Sequence, residues 1–309
     1  MNILLGIGSG LGNAILQLPL ACFLRDKLGH KVDIALRKVP PGTKEVFETL
    51  YRFRVKSVDE CPKIKNESYD LFYMTRSYTG NDKINFNLDA DMVIKCNEYF
   101  GVEEYELYDE TEFEFKIFSD FLGFKYDNDD LTIPIVNSAC KSSRNIAILS
   151  SFKKTMPASK RSLNIKDWNY LIDSLKLRGW NPISIGIPTE YINGCINCTS
   201  NEFETIVKNL LNCYAFIATD MGLVFLARCL GLNGLVFLGP TSVKKTKGAL
   251  LRNRIRVIES DSALNCPFFP CWQQRNTLQA KFKCKKKCLN DITKKELETI
   301  YHDLDNIYD

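Results

Sequence analysis

Asn2-Ile3-Leu4-Leu5-Gly6-Ile7-Gly8-Ser9-Gly10-Leu11-Gly12-Asn13 is the stretch whose reading decides the fold. Asn2 to Ile7 is a short, almost unbroken apolar run, the pattern of a strand buried on both faces. Glycines at 6, 8, 10 and 12 end it in a turn whose backbone can approach a ligand closely. From Ala14 to Leu28 apolar residues recur at helical spacing (Ile15, Leu18, Ala21, Cys22, Leu28), and Gly29 is placed to end a helix. Lys31 to Leu36 reads as a second strand. Strand, glycine turn, helix, strand is the opening of a doubly wound parallel sheet.

The same rhythm recurs further along. Pro40-Pro41-Gly42 breaks the chain before a short helix expected over Lys44 to Tyr51, and Asp70 to Met74 predicts a strand. Segment 103–130 is acidic and aromatic, has no clean period and predicts no element. The polar stretch Asn137-Ser138-Ala139-Cys140-Lys141-Ser142-Ser143 has the composition of a linker, which gives domains over 1–140 and 141–309. Beyond it, strands are expected at Asn145–Ser150, Pro182–Ile187, Ala215–Thr219 and Leu235–Leu238. Helices are expected at Ile165–Arg178, with Trp168, Leu171, Ile172 and Leu175 on one face, then Asn201–Leu211, Leu223–Leu230 and Lys294–Tyr308.

At 309 residues the chain has the length of about two domains at ~150 residues each. Hydrophobic residues make up 45% and charged residues 25%, which excludes a disordered tail, a fibre and a small disulfide scaffold. No apolar run is long enough to span a membrane. Met1 to Leu5 lacks the basic region and cleavage site of a signal peptide. Twelve cysteines without an export signal point to a reducing compartment, the cytoplasm, or the host cytoplasm if the chain is phage-encoded. The two histidines, His30 and His302, weigh against a His-rich zinc enzyme and a Ser-His-Asp hydrolase. Glu98 to Asp130 carries 12 acidic and 2 basic residues, a net −10; Lys244 to Lys295 carries 14 basic and 3 acidic, a net +11. One lobe is acidic, and the other is basic enough to meet phosphates.

Four motifs can carry chemistry. The glycine turn fails G-x-G-x-x-G, because Leu11 and Asn13 stand where a third glycine would be needed, so a dinucleotide site and an NAD oxidoreductase are disfavoured. Ala218-Thr219-Asp220-Met221-Gly222 and Leu238-Gly239-Pro240-Thr241 each follow a strand, at the edge where doubly wound sheets bind ligands. Asp220 is placed to cap the helix starting near Gly222, and Gly239 and Thr241 offer donors suited to a diphosphate. Ser159-Lys160-Arg161-Ser162 supplies two cations for a leaving diphosphate. Cys266, Cys271, Cys284 and Cys288 form two close pairs fit for tetrahedral thiolate ligation of zinc or iron in a closed structural site, with unliganded thiols as the alternative. Cys195 and Cys198 have no second pair nearby and read as incidental.

These blocks resemble the ninth glycosyltransferase family, which contains the bacterial ADP-heptose:lipopolysaccharide heptosyltransferases. The resemblance runs in order through Gly10-Leu11-Gly12-Asn13-Ala14-Ile15-Leu16-Gln17-Leu18-Pro19, then Lys160-Arg161 with Lys166-Asp167-Trp168. It continues through Thr219-Asp220-Met221-Gly222-Leu223, Phe237-Leu238-Gly239-Pro240-Thr241 and the cysteines ending at Cys288-Leu289. It implies a GT-B fold: two Rossmann-like doubly wound domains facing a cleft, the acceptor held mainly by 1–140 and a nucleotide-diphosphate sugar mainly by 141–309. The final helix is then expected to cross back toward the first domain, and transfer needs no metal. Donor-binding residues implied are Gly12, Lys160, Arg161, Asp220, Met221, Gly222, Gly239, Pro240 and Thr241. Family members usually carry Asp where this chain has Asn13, and His where it has Phe225. An amide takes no proton at neutral pH, so Asn13 can only orient a ligand, and Asp82, Asp89 and Asp91 are the carboxylates offered as base. Lys160 is the expected stabiliser of the leaving group. The sugar stays open, a pentose included. The acceptor is lipopolysaccharide, protein, or DNA bearing hydroxymethylated cytosine; the last fits the basic lobe and a Lys- and Asn-rich composition of the kind phages show. A non-catalytic sugar-nucleotide-binding protein is the remaining alternative.

Overall fold

The computed structural model describes residues 1–8, 10–37, 39–57, 68–75, 89–96, 109–136, 144–150, 162–244, 255–266, 269 and 288–289. The chain divides into two compact units, Met1–Val136 and Asn137–Asp309. The expected linker, 137–143, and the final helix lie outside the described residues.

In the first unit, β1 (Asn2–Gly8) is flanked by β2 (Lys31–Arg37) and β4 (Ser68–Met74). β3 (Arg54–Ser57) and β5 (Asp89–Lys95) close the two sides, giving the parallel order β3-β2-β1-β4-β5. Ile3, Leu4, Leu5 and Ile7 are fully buried, as a strand covered on both faces requires. The helix expected over Ala14–Leu28 is interrupted. α1 spans Leu11–Ile15, the chain turns through Leu16 and Gln17, and α2 spans Leu18–Cys22 before a widened π turn over Phe23–Lys27. Pro19 is the cause: its ring would strike the carbonyl of Ile15 and it has no N–H to donate, so it is tolerated only in the first turn of a new helix. The helix expected at Lys44–Tyr51 is likewise a short α3 (Thr43–Glu45) that widens into a π turn over Val46–Leu50.

α4 (Glu110–Leu122) fills the stretch that the sequence leaves without an element. Asp109 caps it, its side chain accepting from the N–H of Thr111 (3.0 Å) and Glu112 (3.1 Å). Gly123 ends it at φ 73°. Its buried side includes Glu110, Thr111 and Glu114 beside Phe113, Phe115, Ile117 and Phe118, so hydrophobicity alone does not trace the face. The Tyr73 hydroxyl donates to the Glu114 carboxylate. Burial, and then that neighbouring charge, push the Tyr73 phenol well above its ordinary value and keep it a donor.

The second unit is parallel too, in the order β11-β10-β9-β6-β7-β8. The strands are β6 (Asn145–Leu149), β7 (Asn181–Ser184), β8 (Ile196–Asn197), β9 (Ala215–Thr219), β10 (Asn233–Leu238) and β11 (Ile255–Glu259). α5 (Ile165–Leu177), α6 (Phe203–Leu211), α7 (Gly222–Cys229) and the short α8 (Asp261–Leu264) connect or follow them. Trp168, Leu171, Ile172 and Leu175 of α5 pack with Ile146, Ile148, Ile217 and Phe237 into one core. The strand expected to reach Ile187 pairs only through Ser184, because Gly186 (φ 152°) and Pro188 turn the chain into a single 3₁₀ turn, Pro188–Glu190. Both sheets have the winding in which the connection reverses direction beside the first strand: between β1 and β4 in one, between β6 and β9 in the other. Ligands bind at the carboxyl edge of such a reversal. Among the described residues no helix is long and apolar enough to cross a membrane.

Candidate functional site

The carboxyl edge of the second sheet gathers polar side chains at its reversal point. Thr219 ends β9 fully buried, and its hydroxyl has no hydrogen-bond partner among the described residues. Asp220 follows, 7% exposed, and its Oδ2 accepts from the Thr241 hydroxyl at 2.6 Å, which ties the turn after β9 to the turn after β10. A charge-assisted bond of this kind fixes both turns and keeps the carboxylate in place. Met221, not Asp220, occupies the capping position of α7, and the Met221 side chain makes no capping hydrogen bond. The expectation that Asp220 is the cap of that helix is thereby corrected: the capping position is Met221, and the Asp220 carboxylate accepts from Thr241 across the edge. Gly222 opens α7, so its backbone N–H belongs to a first turn with no side-chain cap from Met221. Gly239, Pro240, Thr241 and Ser242 are all buried.

Glu190 and Ser150 belong to the same edge, though no motif in the sequence marks either. Ser150 directly follows β6; it is fully buried and donates to the Glu190 carbonyl at 2.9 Å. The Glu190 carboxylate, on a residue 6% exposed, accepts from the Ile187 N–H at 3.3 Å. A Cβ at Gly186 would lie 2.7 Å from Glu190 Oε2, so glycine is what lets the carboxylate sit against the turn. Only the fold gives these residues away, since a Glu after a Pro-initiated turn looks like any loop carboxylate. Lys160 and Arg161 lie outside the described residues. The described cation nearest them in sequence at this edge is Lys166, exposed on the first turn of α5, whose cap is Asn164 accepting from the Asp167 N–H at 3.0 Å.

In the first unit, Gly12 is buried and Asn13 half-buried on α1, directly after the glycine turn at the carboxyl end of β1. Asp89 and Asp91 are placed elsewhere. Asp89 opens β5 opposite Ser68, at the amino end of the sheet, and Asp91 is exposed two residues further on. A strand of this length covers ~20 Å at ~3.3 Å per residue, so Asp89 is about that far from the carboxyl end of its strand. Asp82 is outside the described residues.

Cys288 is buried beside Leu289, which is part of the core of the second unit, and Cys266 is half-buried just past α8. Cys271 and Cys284 lie outside the described residues, and among those described no group of three or more His, Cys, Asp or Glu is arranged to hold a metal. Cys195 and Cys213 are buried thiols, each pushed up to about 12 by desolvation, which makes them packing residues.

Two parallel, doubly wound α/β units are the architecture of the GT-B fold class. Solved members of that class have this chain's fold. The glycosyl transferase family 9 protein of Veillonella parvula superposes with TM-score 0.67 at 11% identity, over 98% of this chain and 96% of that one. ADP-heptose lps heptosyltransferase II of E. coli gives 0.63 at 13%, over 100% and 98%. The iron-containing dodecameric glycosyltransferase TibC of enterotoxigenic E. coli gives 0.62 at 12%, over 99% and 78%. No family profile and no curated protein sequence matches the chain.

Proposed function

We propose that the chain is a heptosyltransferase-like glycosyltransferase that moves a sugar from a nucleotide-diphosphate sugar to an acceptor hydroxyl, the second unit binding the donor and the first the acceptor. The observation that carries this reading is the Asp220–Thr241 bridge next to the Thr219 hydroxyl, which has no partner among the described residues, at the reversal point of a sheet in a chain whose fold is that of a solved ADP-heptose heptosyltransferase. In such a transfer the acceptor hydroxyl loses its proton, its oxygen bonds to the anomeric carbon, and the nucleoside diphosphate leaves with the electron pair. The first turn of α7, the backbone N–H groups of Gly239 and Thr241, and the cations Lys160, Arg161 and Lys166 are suited to that developing charge.

A lipopolysaccharide core is the acceptor favoured by likeness to the lps heptosyltransferase. DNA bearing hydroxymethylated cytosine is a second reading, favoured by the +11 charge over 244–295. The experiment offers ADP-heptose, UDP-glucose and a UDP-pentose as donors, each with heptose-free lipopolysaccharide, a protein acceptor and hydroxymethylated DNA, and detects products by mass spectrometry. Transfer from any donor supports the reading. Tight nucleotide binding without transfer under every pairing would assign a binding protein instead.

The four cysteines 266, 271, 284 and 288 are proposed to hold structural zinc or iron, in keeping with the iron-containing relative. A thiolate set suits either metal, and the burial of Cys288 against the core gives such a site an anchor. Elemental analysis of protein purified without chelator is expected to find about one metal ion per chain, as one four-thiolate site requires. Less than about a tenth of that, with these thiols freely titratable, removes the metal.

A further inference from the structure

Transfer needs a base for the acceptor hydroxyl, and the first unit restricts where it can be. Asn13 has an amide, and Asp89 and Asp91 stand toward the amino end of their strand. α4 brings a different carboxylate to the carboxyl edge. The path from α1 through α2 starts at that edge, after β1, and finishes at the opposite edge, where Lys31 pairs with Asn2. α4 runs alongside in the same direction: the Thr111 hydroxyl donates to the Leu16 carbonyl at 3.1 Å, and Phe115, a turn later, packs on Phe23 with ring centroids 5.2 Å apart. The first turn of α4 is therefore at the carboxyl edge, against the α1–α2 break and one turn from Asn13.

Glu110 opens that turn and is 2% exposed. A negative charge there favours the helix, and exposed Glu112 carries a second one in the same turn. The break itself holds a second unusual group. Gln17 is fully buried, and neither its amide oxygen nor its amide nitrogen has a hydrogen-bond partner among the described residues. An amide has two donors and an acceptor to satisfy, and a buried one left unmet is paired in practice with water or ligand. Gln17 stands two residues past the end of the helix that carries Asn13, its N–H donating to the Ala14 carbonyl at 3.1 Å.

We propose that Glu110 is the proton acceptor for the hydroxyl that Asn13 orients, the proton passing through one water held by the Gln17 amide. The inference rests on the glycosyltransferase reading. As the hydroxyl oxygen bonds to the anomeric carbon and the carbon–phosphate oxygen bond breaks, the hydroxyl proton moves to the water, a water proton moves to the Glu110 carboxylate, and the electron pair leaves on the nucleoside diphosphate. A base acting through a single water is within ordinary reach for general base catalysis. Glu110 and Gln17 thereby do together what a carboxylate at position 13 would do alone.

The test uses the full chain, ADP-heptose and heptose-free lipopolysaccharide, extended to the other pairings above if these are not substrates. Glu110→Gln is expected to lower kcat on the order of 10²–10⁴-fold with donor affinity unchanged, and to abolish the acid limb of the pH profile. Formate is expected to restore part of the activity of Glu110→Ala, which loss of a structural contact would not allow. Gln17→Leu is expected to lower kcat roughly 10-fold while raising the melting temperature, since an unmet amide leaves the core. Exposed Glu112→Gln serves as the unchanged control. A Glu110→Gln enzyme within threefold of wild type overturns the proposal, as does an unaltered acid limb. Should that variant not fold, Glu110→Asp decides: a shifted acid limb supports the proposal and an unmoved one overturns it. A wild type without transfer in any pairing overturns the functional reading itself, and this inference with it.

Discussion

The two sheets share one winding, yet their carboxyl edges are built by opposite means. In the second unit the edge is made of short turns: Asp220 and Thr241 meet across neighbouring strand ends, and Ser150 and Glu190 meet across another pair. Each pair joins the turns that follow two strands of the same half, across 21 and 40 positions. In the first unit the edge depends on residues far apart in the chain. Thr111 reaches the Leu16 carbonyl, 95 positions away, and Thr75 reaches the Gly6 carbonyl, 69 positions away. If the second edge holds the donor and the first the acceptor, as proposed, the diphosphate is met by βα turns and the acceptor by an edge assembled over longer range.

The largest effect is expected at the leaving group. Lys160→Ala is expected to cut turnover on the order of 10²-fold, the loss that follows removal of one preorganised charge or donor. Lys166→Ala, measured beside it, tells which cation faces the diphosphate. Near-wild-type turnover in both folded variants would leave the phosphate-binding role to the backbone of the second edge alone.

Asp220→Ala comes next. It removes the partner of the buried Thr241 hydroxyl and releases two turns from each other, a cost of ~1–3 kcal/mol in the range for an unmet buried polar group. Donor affinity, read by calorimetry with the nucleoside diphosphate, is expected to fall ~10-fold, equal to ~1.4 kcal/mol. Acceptor KM is expected to stay put. An equal fall in both would show that the two edges are not specialised.

The smallest effect sharpens the other side. Asp109→Ala deletes the cap of α4 and is expected to cost ~1 kcal/mol, seen as a lowered melting temperature. Donor affinity should not move, whereas turnover should, because the same cap sets the first turn that carries Glu110. Loss of stability with full turnover would detach α4 from the acceptor side.

The same contrast explains what could be read beforehand. α5 is legible because Trp168, Leu171, Ile172 and Leu175 form a clean stripe between an Asn164 cap and a Gly179 stop. β9 is legible because all five of its residues are buried, so the apolar run is unbroken. α4 is not, since Glu110, Thr111 and Glu114 share its buried side and only tertiary partners such as Tyr73 make that tolerable. The helix after β1 misleads for a different reason: its apolar spacing continues through Pro19 while the backbone cannot. Of the expected site, Asp220 and Thr241 are brought together, Asp89 and Asp91 are set toward the amino end of β5, and Ser150, Glu190, Glu110 and Gln17 carry no local signature at all.

The strand order also dictates when each unit can come together as the chain emerges during synthesis. β1 obtains β2, its first neighbour, after a single helical passage, and β4 by residue 74, so the centre of the first sheet is available early. β6 likewise obtains β7 after a single helix and then waits for β9 across almost the same distance that separates β1 from β4: Ile146 pairs with Ala215 as Ile3 pairs with Leu71. Parallel pairings across such separations are slow to form and leave apolar strands uncovered meanwhile. Ile146, Ile148 and Leu149 are fully buried in the finished sheet and are the residues left uncovered during that wait. Each half thus leaves its first strand without its second neighbour for a similar length of chain, and the first unit can complete the centre of its sheet before the second has been synthesised.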